Sequence, residues 1–341
     1  MTRARGAALP LSRKGLLAAA ALAALVVPSA PPPLAPVAAT APTAGPALRT
    51  PVAALAEALD CDARLDLARG RTPILLVPGT IESAEQVYDG GYRKVLGAAG
   101  HPVCVIRRLR GGGLGDLQEN AEYVVYAVRA MEARAGRRIS VIGHSQGGTL
   151  PLWALRFWPD LSGRIDDFVA LAGAPGGVTL ATVLCLPGRC PEAAWQFRPG
   201  SNWTTALRAE PLPRGTDVTS IGSATDEIVQ PSPRATSTNG GTDIVIQRDL
   251  CPLRLVGHLS ILVDAAAYAL TRDALDHPGP ADPKRVGRAA CAKTAFTGVD
   301  ARMARTVEAA PQLVADAVFR GHGTDREPAL RGYAARRQDA N

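Results

Sequence analysis

The fold of this 341-residue chain is decided by residues 139–148, which read Ile-Ser-Val-Ile-Gly-His-Ser-Gln-Gly-Gly. The first four residues have the apolar pattern of a buried β-strand, and the residues after the motif, to about Trp158, have the pattern of a helix. Between the two, Gly143, Ser145 and Gly147 match the motif G-x-S-x-G, in which a serine occupies a sharp strand-to-helix turn. Glycines flank the serine because bulky side chains would collide there. The motif therefore predicts a serine hydroxyl that projects to where a base can reach it.

The context of the motif matters, since a chain with 34 glycines can match such a short pattern by chance. Further strands are predicted at Pro73–Val77, Val103–Ile106, Phe168–Ala172, Val218–Ile221 and Ile244–Ile246. A helix is predicted from Leu117 to Ala135, where apolar residues recur at helical spacing before Gly136. Strands that alternate with helices predict an α/β fold, with a mainly parallel sheet and helices on both faces.

A nucleophilic serine needs a base, and in this motif's usual order an acid and then a histidine follow the serine. Three histidines lie far enough downstream, namely His258, His277 and His322. His258 is the predicted base because it lies between a strand-like segment and a helix, whereas the others lie in a polar turn and an Arg-rich tail. His144 cannot serve, because adjacent side chains at the turn point apart. We expect His144 to line the pocket or to pack.

The acid should follow a strand and precede His258. Asp226 fits this position, and its role would be to hold the imidazole in the correct tautomer. Glu227 and Asp243 are rivals that the pattern alone leaves open. The backbone N–H of Gln146 is expected at a helix N-terminus, where a negatively charged oxygen is stabilised.

The charge balance argues against a nucleic-acid binder. The chain has 38 Lys+Arg against 31 Asp+Glu, a formal charge of +7. Residues 1–30 contain four basic residues and no acid, so their removal would lower that charge to +3. Nucleic-acid binding needs a concentrated basic face, and the sequence has no run of five basic residues. Residues 111–115 are Gly-rich but lack the Lys-Ser/Thr of a P-loop, so no nucleotide cofactor is expected.

The first thirty residues are predicted to be a secretory signal. Their four positive charges are followed by an apolar run of 13 residues, 15–27, and then by small residues. Spanning a bilayer takes about 20 residues, so no stable membrane anchor is expected, although an N-terminal anchor is the alternative interpretation. The cleavage site is left open between Ala30, Ala39 and Ala41. Residues 31–51 are rich in Pro and Ala and are predicted to be an extended linker.

The six cysteines are an even number, which in an exported protein indicates disulfide bonds. Six cysteines allow fifteen pairings, and the sequence pattern does not select one. A zinc site is disfavoured, because the sequence has no C-x-x-C pair and no histidine at ligand spacing from a cysteine. We therefore expect no metal.

Four segments resemble lipases of the Candida antarctica lipase B type, in the same order over roughly residues 60–300. They are Thr72–Thr80 (Thr-Pro-Ile-Leu-Leu-Val-Pro-Gly-Thr), Ser145–Gly148 (Ser-Gln-Gly-Gly), Trp203–Leu207 (Trp-Thr-Thr-Ala-Leu) and Ser223–Pro231 (Ser-Ala-Thr-Asp-Glu-Ile-Val-Gln-Pro). The last segment is the most specific, since its nine residues surround the acid. The resemblance implies an α/β-hydrolase fold with lipase or esterase activity and neither metal nor cofactor.

The resemblance also assigns roles to individual residues. It selects Asp226 over its rivals as the acid of a triad with Ser145 and His258. Thr80 matches the residue that completes the oxyanion hole with Gln146, through its backbone N–H and its hydroxyl. Because Thr80 follows the first apolar strand, it can face the serine at the carboxyl end of the sheet.

Two disulfides are implied in the same way. The pairs Cys61–Cys104 and Cys251–Cys291 match bridges of the family, whereas Cys185 and Cys190 have no match. A small local bridge, Cys185–Cys190, is our hypothesis for the remaining pair.

Three positions depart from the family pattern. Ile81 follows Thr80 where the family has Gly, which is expected to make that turn more rigid. His144 stands where the lipase B protein has a bulky aromatic residue that shapes the alcohol side of its pocket. The segment Val178–Arg198 contains the additional cysteine pair and is expected to form a rim or lid. These departures concern ester preference more than the reaction.

The sequence therefore predicts a hydrolase domain over residues 52–302, followed by an Arg-rich C-terminal tail, 303–341, without a counterpart in the family. The predicted function is that of a secreted, monomeric serine hydrolase that cleaves carboxylic esters, with lipids as the substrate class. An acyltransferase or a polyester hydrolase with the same triad is the alternative, because a triad does not identify the acyl acceptor. A non-catalytic binding module is a third hypothesis.

Overall fold

A computed structural model describes residues 45–66, 70–300, 303 and 323–338. The predicted secretory signal, 1–30, and residues 31–44 of the predicted linker lie outside this part of the chain.

A seven-stranded sheet lies at the centre of the described fold. Its strands are β1 (Leu59–Cys61), β2 (Ile74–Val77), β3 (Val103–Ile106), β4 (Ile139–His144), β5 (Ile165–Leu171), β6 (Asp217–Gly222) and β7 (Thr242–Val245). Their order is β1-β3-β2-β4-β5-β6-β7, and β1 pairs antiparallel with β3 while the other neighbours are parallel. The observed sheet confirms the predicted α/β fold.

The described helices lie between and beside these strands. They are α1 (Val52–Ala58), α2 (Ala84–Val87), α3 (Tyr92–Ala98), α4 (Leu117–Ala135), α5 (Leu150–Phe157), α6 (Thr179–Leu184), α7 (Glu192–Gln196), α8 (Asn202–Arg208), α9 (Ile246–Asp249), α10 (Ala265–Asp276), α11 (Pro283–Val286) and α12 (Gly332–Gln338). No helix in the described ranges is both long and apolar enough to cross a bilayer.

Alternation along the central strands places a hydrophobic core on each face of the sheet. Leu75 and Val77 of β2 belong to the core that contains residues of α4 and α5. Ile74 and Leu76 belong to the opposite core, with residues of α3 and α10. All four residues of β2 are fully buried, which explains why this strand is continuously apolar rather than alternating with polar residues.

The domain begins with a short helix followed by an edge strand. Helix α1 ends at Ala58, and Leu59–Cys61 forms the edge strand β1. Its register places Cys61 opposite Cys104, and the two cysteines form a disulfide. Cys251 with Cys291 and Cys185 with Cys190 form the other two bridges of the described chain.

Folded structure also extends beyond the predicted domain limits of 52 and 302. At the N-terminal side, the backbone N–H groups of Arg49 and Thr50 donate to the Glu122 carboxylate at 2.8 and 2.7 Å. Glu122 is buried in α4, and a buried carboxylate needs such donors. Residues 49–50 therefore pack against the domain, although their composition predicted a linker.

The described part of the C-terminal tail packs as well. The indole N–H of Trp153 donates to the hydroxyl of Tyr333 at 3.2 Å, and the Tyr333 ring lies 5.3 Å from that of Trp158. The Glu327 carboxylate accepts hydrogen bonds from the N–H groups of Asn202 and Trp203 at the start of α8. The indole N–H of Trp153 and the N–H groups in the first turn of α8 require partners, and Tyr333 and Glu327 provide them.

Candidate active site

The predicted nucleophile lies at the end of β4, at the middle of the sheet. Ser145 begins a short 3₁₀ helix, Ser145–Gly148, and has a positive φ of 54°, a conformation that is strained for a residue with a side chain. The flanking glycines are required by close backbone approach. A Cβ at Gly143 would lie 1.9 Å from the Gly147 carbonyl oxygen, and a Cβ at Gly147 would lie 2.1 Å from the Val77 carbonyl oxygen.

Three side chains form a continuous hydrogen-bonded chain. His258 Nε2 lies 2.9 Å from Ser145 Oγ, and its Nδ1 lies 2.9 Å from Asp226 Oδ2. A carboxylate only accepts hydrogen bonds, so Nδ1 carries the proton and Nε2 accepts from the serine hydroxyl. In this tautomer the ring of His258 is ready to take the serine proton.

The turn after β6 holds Asp226 in its ionised form. Asp226 is buried, and its Oδ1 accepts from the N–H groups of Ile228 and Val229 at 2.8 and 2.7 Å. Burial by itself would raise the pKa of Asp226, but the His258 ring and these two N–H groups hold the pKa below its usual value. The acid is therefore a carboxylate at neutral pH.

The rival acids have other partners. Glu227 does not contact the imidazole; its carboxylate accepts from the backbone N–H of His258 at 2.9 Å. Asp243 accepts from the backbone N–H and the hydroxyl of Thr238. These contacts leave Asp226 as the carboxylate at the imidazole, as the resemblance implied.

The two other candidate histidines are not part of this arrangement. His277 lies at the end of α10, with Nδ1 3.1 Å from the Asp273 carbonyl oxygen. His322 lies outside the described residues.

The turn after β2 faces the nucleophile. Thr80 and Gln146 line the same cavity as Ser145 and His258. The Gln146 side-chain amide donates to the Gly113 carbonyl at 2.9 Å, so the Gly-rich segment helps to orient the residue after the nucleophile. The sequence pattern of that segment indicates only a Gly-rich loop without the P-loop residues, and does not indicate this contact.

Ile81 has a φ of +59°, within the left-handed region that favours glycine. A β-branched residue in this region is strained, at a cost of about 1–3 kcal/mol. The turn is held in place by the N–H of Ile81, which donates to the Gly112 carbonyl at 2.6 Å. The departure from the family glycine therefore keeps the glycine-like backbone.

His144 packs behind the nucleophile and is fully buried. Its Nδ1 lies 2.8 Å from Glu82 Oε1, and its Nε2 lies 2.9 Å from the backbone carbonyl oxygen of His258. Glu82 was not singled out from the sequence, because a carboxylate after a turn is usually solvated. The buried histidine, which needs a partner, was the signal that could have indicated it.

A cavity of about 350 Å³ opens beside Ser145. Most of its lining is apolar, and that lining includes Leu114, Val178, Leu180, Leu184, Phe197, Ile228, Val229 and Leu259. The segment Val178–Arg198, expected to form a rim, supplies α6, α7 and the Cys185–Cys190 bridge to this wall. Gly323 of the tail also lines the cavity, and the next residue, Thr324, forms a β-bridge with Cys190.

Within the described ranges, no group of three His, Cys, Asp or Glu side chains is arranged to hold a metal ion.

Comparison with known proteins shows what this chain resembles. No family model matches it. Lipase B of Pseudozyma antarctica is 34% identical over 237 residues, which are 67% of this chain and 69% of that protein. The crystal structure of Aspergillus fumigatus lipase B superposes with a TM-score of 0.78 at 26% identity, covering 86% of this chain and 73% of that one. The chain therefore belongs to the lipase B family, and it is a carboxylic ester hydrolase with the α/β-hydrolase fold.

Proposed function

We propose that this protein is a secreted serine hydrolase that cleaves the carboxylic ester bonds of lipids through an acyl-enzyme on Ser145. The observation that carries the proposal is the hydrogen-bonded chain from Asp226 through His258 to Ser145, beside an apolar cavity. The family relationship supports the same reaction class.

In the first half of the reaction, Ser145 Oγ attacks the ester carbonyl carbon while His258 Nε2 takes the hydroxyl proton. The carbonyl oxygen becomes an oxyanion, which accepts hydrogen bonds from the backbone N–H groups of Thr80 and Gln146. Asp226 stabilises the imidazolium that forms. The tetrahedral intermediate collapses when His258 gives its proton to the leaving alcohol, and the acyl group remains on Ser145.

In the second half, water replaces the alcohol. His258 takes a proton from the water as it attacks the acyl carbon, and the same oxyanion hole stabilises the second tetrahedral intermediate. The proton then passes to Ser145 Oγ, the carboxylic acid leaves, and the free enzyme is restored.

The cavity supports lipid esters as the substrate class. An apolar wall beside the nucleophile favours an acyl chain, because burial of each CH₂ group contributes about 0.8 kcal/mol. The described cavity wall contains one Arg or Lys side chain, that of Arg189, which lies between the bridged residues Cys185 and Cys190. Three disulfides in the described chain support an oxidising, extracellular location.

The nucleophile is tested by the Ser145→Ala variant. We expect it to fold normally and to lose p-nitrophenyl butyrate hydrolysis by about 10⁴–10⁶-fold, since the acyl-enzyme cannot form. The control is Ser162→Ala, whose hydroxyl bonds only the nearby Pro159 carbonyl in the described structure and which should retain wild-type rates. Wild-type turnover by Ser145→Ala would contradict the proposal.

Product analysis tests the substrate class and the alternative reaction. Rates measured from acetate to oleate esters should not fall steeply beyond butyrate if the cavity accepts lipid acyl chains. The same assay with an added alcohol separates hydrolysis from acyl transfer, because a transferase would form the new ester in place of the free acid.

A further inference from the structure

A second histidine–carboxylate pair lies directly behind the nucleophile. His144 immediately precedes Ser145 and is 0% exposed, while Glu82 is 5% exposed. The two are 62 residues apart in sequence, and His144 Nδ1 lies 2.8 Å from Glu82 Oε1. The rings of His144 and His258 are 4.8 Å apart. A buried pair this close to the predicted base can affect the position of that base directly.

The hydrogen bonds define the protonation of this pair. His144 Nε2 faces the His258 carbonyl oxygen, which can only accept, so that nitrogen carries a proton. Glu82 Oε2 accepts from the backbone N–H of Gly79, which leaves Oε1 as the acceptor that faces His144. His144 Nδ1 therefore donates as well, and the ring is an imidazolium paired with a carboxylate.

The groups around His144 act in opposite directions on its charge. Burial opposes the charged ring, yet the Glu82 carboxylate and the hydrogen bonds to Glu82 and to the His258 carbonyl raise the pKa of His144 above the usual histidine value. Asp226 acts in the same direction. Two further titratable groups lie beside this residue: the buried phenol of Tyr88, which contacts the His144 backbone, and the imidazole of His258.

The pair joins three segments that the reaction needs in register. Glu82 belongs to the turn that contains Thr80, His144 precedes the nucleophile, and the carbonyl group that accepts from His144 belongs to His258. The N–H of His258 is held on the other side by Glu227. Both peptide groups of the base are therefore fixed by side chains, and a displacement of about 1 Å in such a site can lower the rate 10²-fold.

We propose that Glu82 and His144 form a fixed pair of opposite charges that positions the His258 backbone and the oxyanion turn relative to Ser145. Both are positioning residues, because they act through the His258 backbone and the oxyanion turn. Glu82 also lines the cavity, but its two carboxylate oxygens are directed to the Gly79 N–H and to His144 Nδ1. This inference rests on the proposed ester hydrolysis. It assigns a function to the departure at position 144, where the buried ring supports the base from behind.

The proposal predicts a pH dependence. When His144 loses a proton as the pH rises, either Glu82 or the His258 carbonyl loses its donor, and the base becomes less well placed. Glu82→Gln keeps the size of the side chain but removes the negative charge that retains the proton. His144 should then become neutral at a lower pH than in the wild-type protein.

The experiment compares purified full-length wild type, Glu82→Gln and the control Glu85→Gln, which changes an exposed carboxylate on α2. Hydrolysis of p-nitrophenyl butyrate is followed from pH 5 to 10, normalised to the sites that react with a fluorophosphonate. For Glu82→Gln we expect kcat to fall on the order of 10-fold to 100-fold, with KM changed less than about 3-fold. Its alkaline loss of activity should begin at a lower pH than that of wild type, while Glu85→Gln should match wild type.

Three further variants keep the test decisive. Glu82→Asp retains the charge and should keep the wild-type pH profile at a reduced kcat, which covers the case in which Glu82→Gln does not fold. The double variant Glu82→Gln/His144→Phe should lose no more activity than His144→Phe alone, because the two side chains act as one unit.

A lowered kcat with an unshifted profile in Glu82→Gln, a shifted profile in Glu82→Asp, or independent losses in the double variant would overturn the proposal. An inactive wild-type enzyme would instead refute the proposed function.

Discussion

Two regions next to Ser145 each contain a buried histidine–carboxylate pair, and the hydrogen-bond distances within the two pairs are nearly the same. His258 lies 2.9 Å from Asp226, and His144 lies 2.8 Å from Glu82. They differ in what meets the second ring nitrogen, which is the hydroxyl of Ser145 in the first pair and a backbone carbonyl in the second. A hydroxyl can give up its proton to the ring, whereas a carbonyl cannot.

The partner of Nε2, and not the carboxylate at Nδ1, therefore distinguishes the histidine that acts as a base from the histidine that stays charged. The ring of His258 can exist as a neutral imidazole whose Nε2 accepts a hydrogen bond from the Ser145 hydroxyl. The ring that meets a carbonyl must keep both protons to satisfy its neighbours. Proximity in sequence does not identify the base, because His144, which is adjacent to Ser145, is the positioning residue.

Of the two carboxylates, Asp226 is expected to have the greater effect on the rate. Asp226→Asn should lower kcat on the order of 10³–10⁴-fold, because an amide does not hold the His258 tautomer that accepts the serine proton. Steady-state rates with p-nitrophenyl butyrate measure it, and Glu82→Gln on the same substrate is the comparison. Equal losses of kcat in Asp226→Asn and Glu82→Gln would mean that the two pairs have the same role in the reaction.

The next effect separates positioning from stability. Tyr333 belongs to the C-terminal tail, away from both pairs, and its ring packs on Phe157 and Trp158. The variant Tyr333→Ala removes that ring. We expect the free energy of unfolding to fall by about 2 kcal/mol, with kcat per fluorophosphonate-reactive site unchanged. Urea denaturation measures the first and ester hydrolysis the second.

The matched control for that variant is Tyr333→Phe. It keeps the ring and loses only the hydrogen bond from Trp153, so its stability loss should be about 1 kcal/mol or less. If Tyr333→Ala lowered kcat as Glu82→Gln does, loss of activity would report general destabilisation and not the position of the base.

The smallest effect is the opposite pH dependence of stability in the two pairs. The pKa of His144 is raised, so its contribution is complete below the unfolded value of about 6.5 and is lost as the pH rises through the folded value. The pKa of Asp226 is lowered, so its contribution is complete above about 3.9 and is lost as the pH falls through the folded value.

Unfolding free energies measured across pH therefore test the assignment of charge. The stability difference between wild type and Glu82→Gln should shrink toward alkaline pH, as the pH passes the raised pKa of His144 in the wild-type protein. The difference between wild type and Asp226→Asn should shrink only toward acidic pH. A Glu82→Gln difference that stays constant above pH 6.5 would show that His144 does not carry the charge.

Much of the sheet was predictable because its signals are local. The strand Val103–Ile106 and the helix Leu117–Ala135 have the predicted bounds, since a run of buried apolar residues and a helical period with a closing glycine each identify themselves. The short strand Leu59–Cys61 was hidden in an apolar helical pattern, because three residues are too few to show a period of two. Its existence depends on pairing with β3.

The candidate site divides in the same way. The pattern of G-x-S-x-G with a downstream histidine pointed to Ser145 and His258, and the family resemblance selected Asp226 over its rivals. Neither gave an indication of Glu82, nor of the tail residues that pack on the Trp153 side of the sheet. Such contacts depend on which loops converge, and loop convergence has no local signature in the chain.

Residues 139–148 are enough to place a serine on a strained turn at the end of a buried strand, because that requirement is met within ten consecutive residues. The pairing of Glu82 with His144, in contrast, is visible in the folded chain alone. Glu82 and His144 are 62 residues apart, and Asp226 and His258 are 32 residues apart. Parallel strands end at one edge of the sheet, and the order of those strands determines which charges are buried together there.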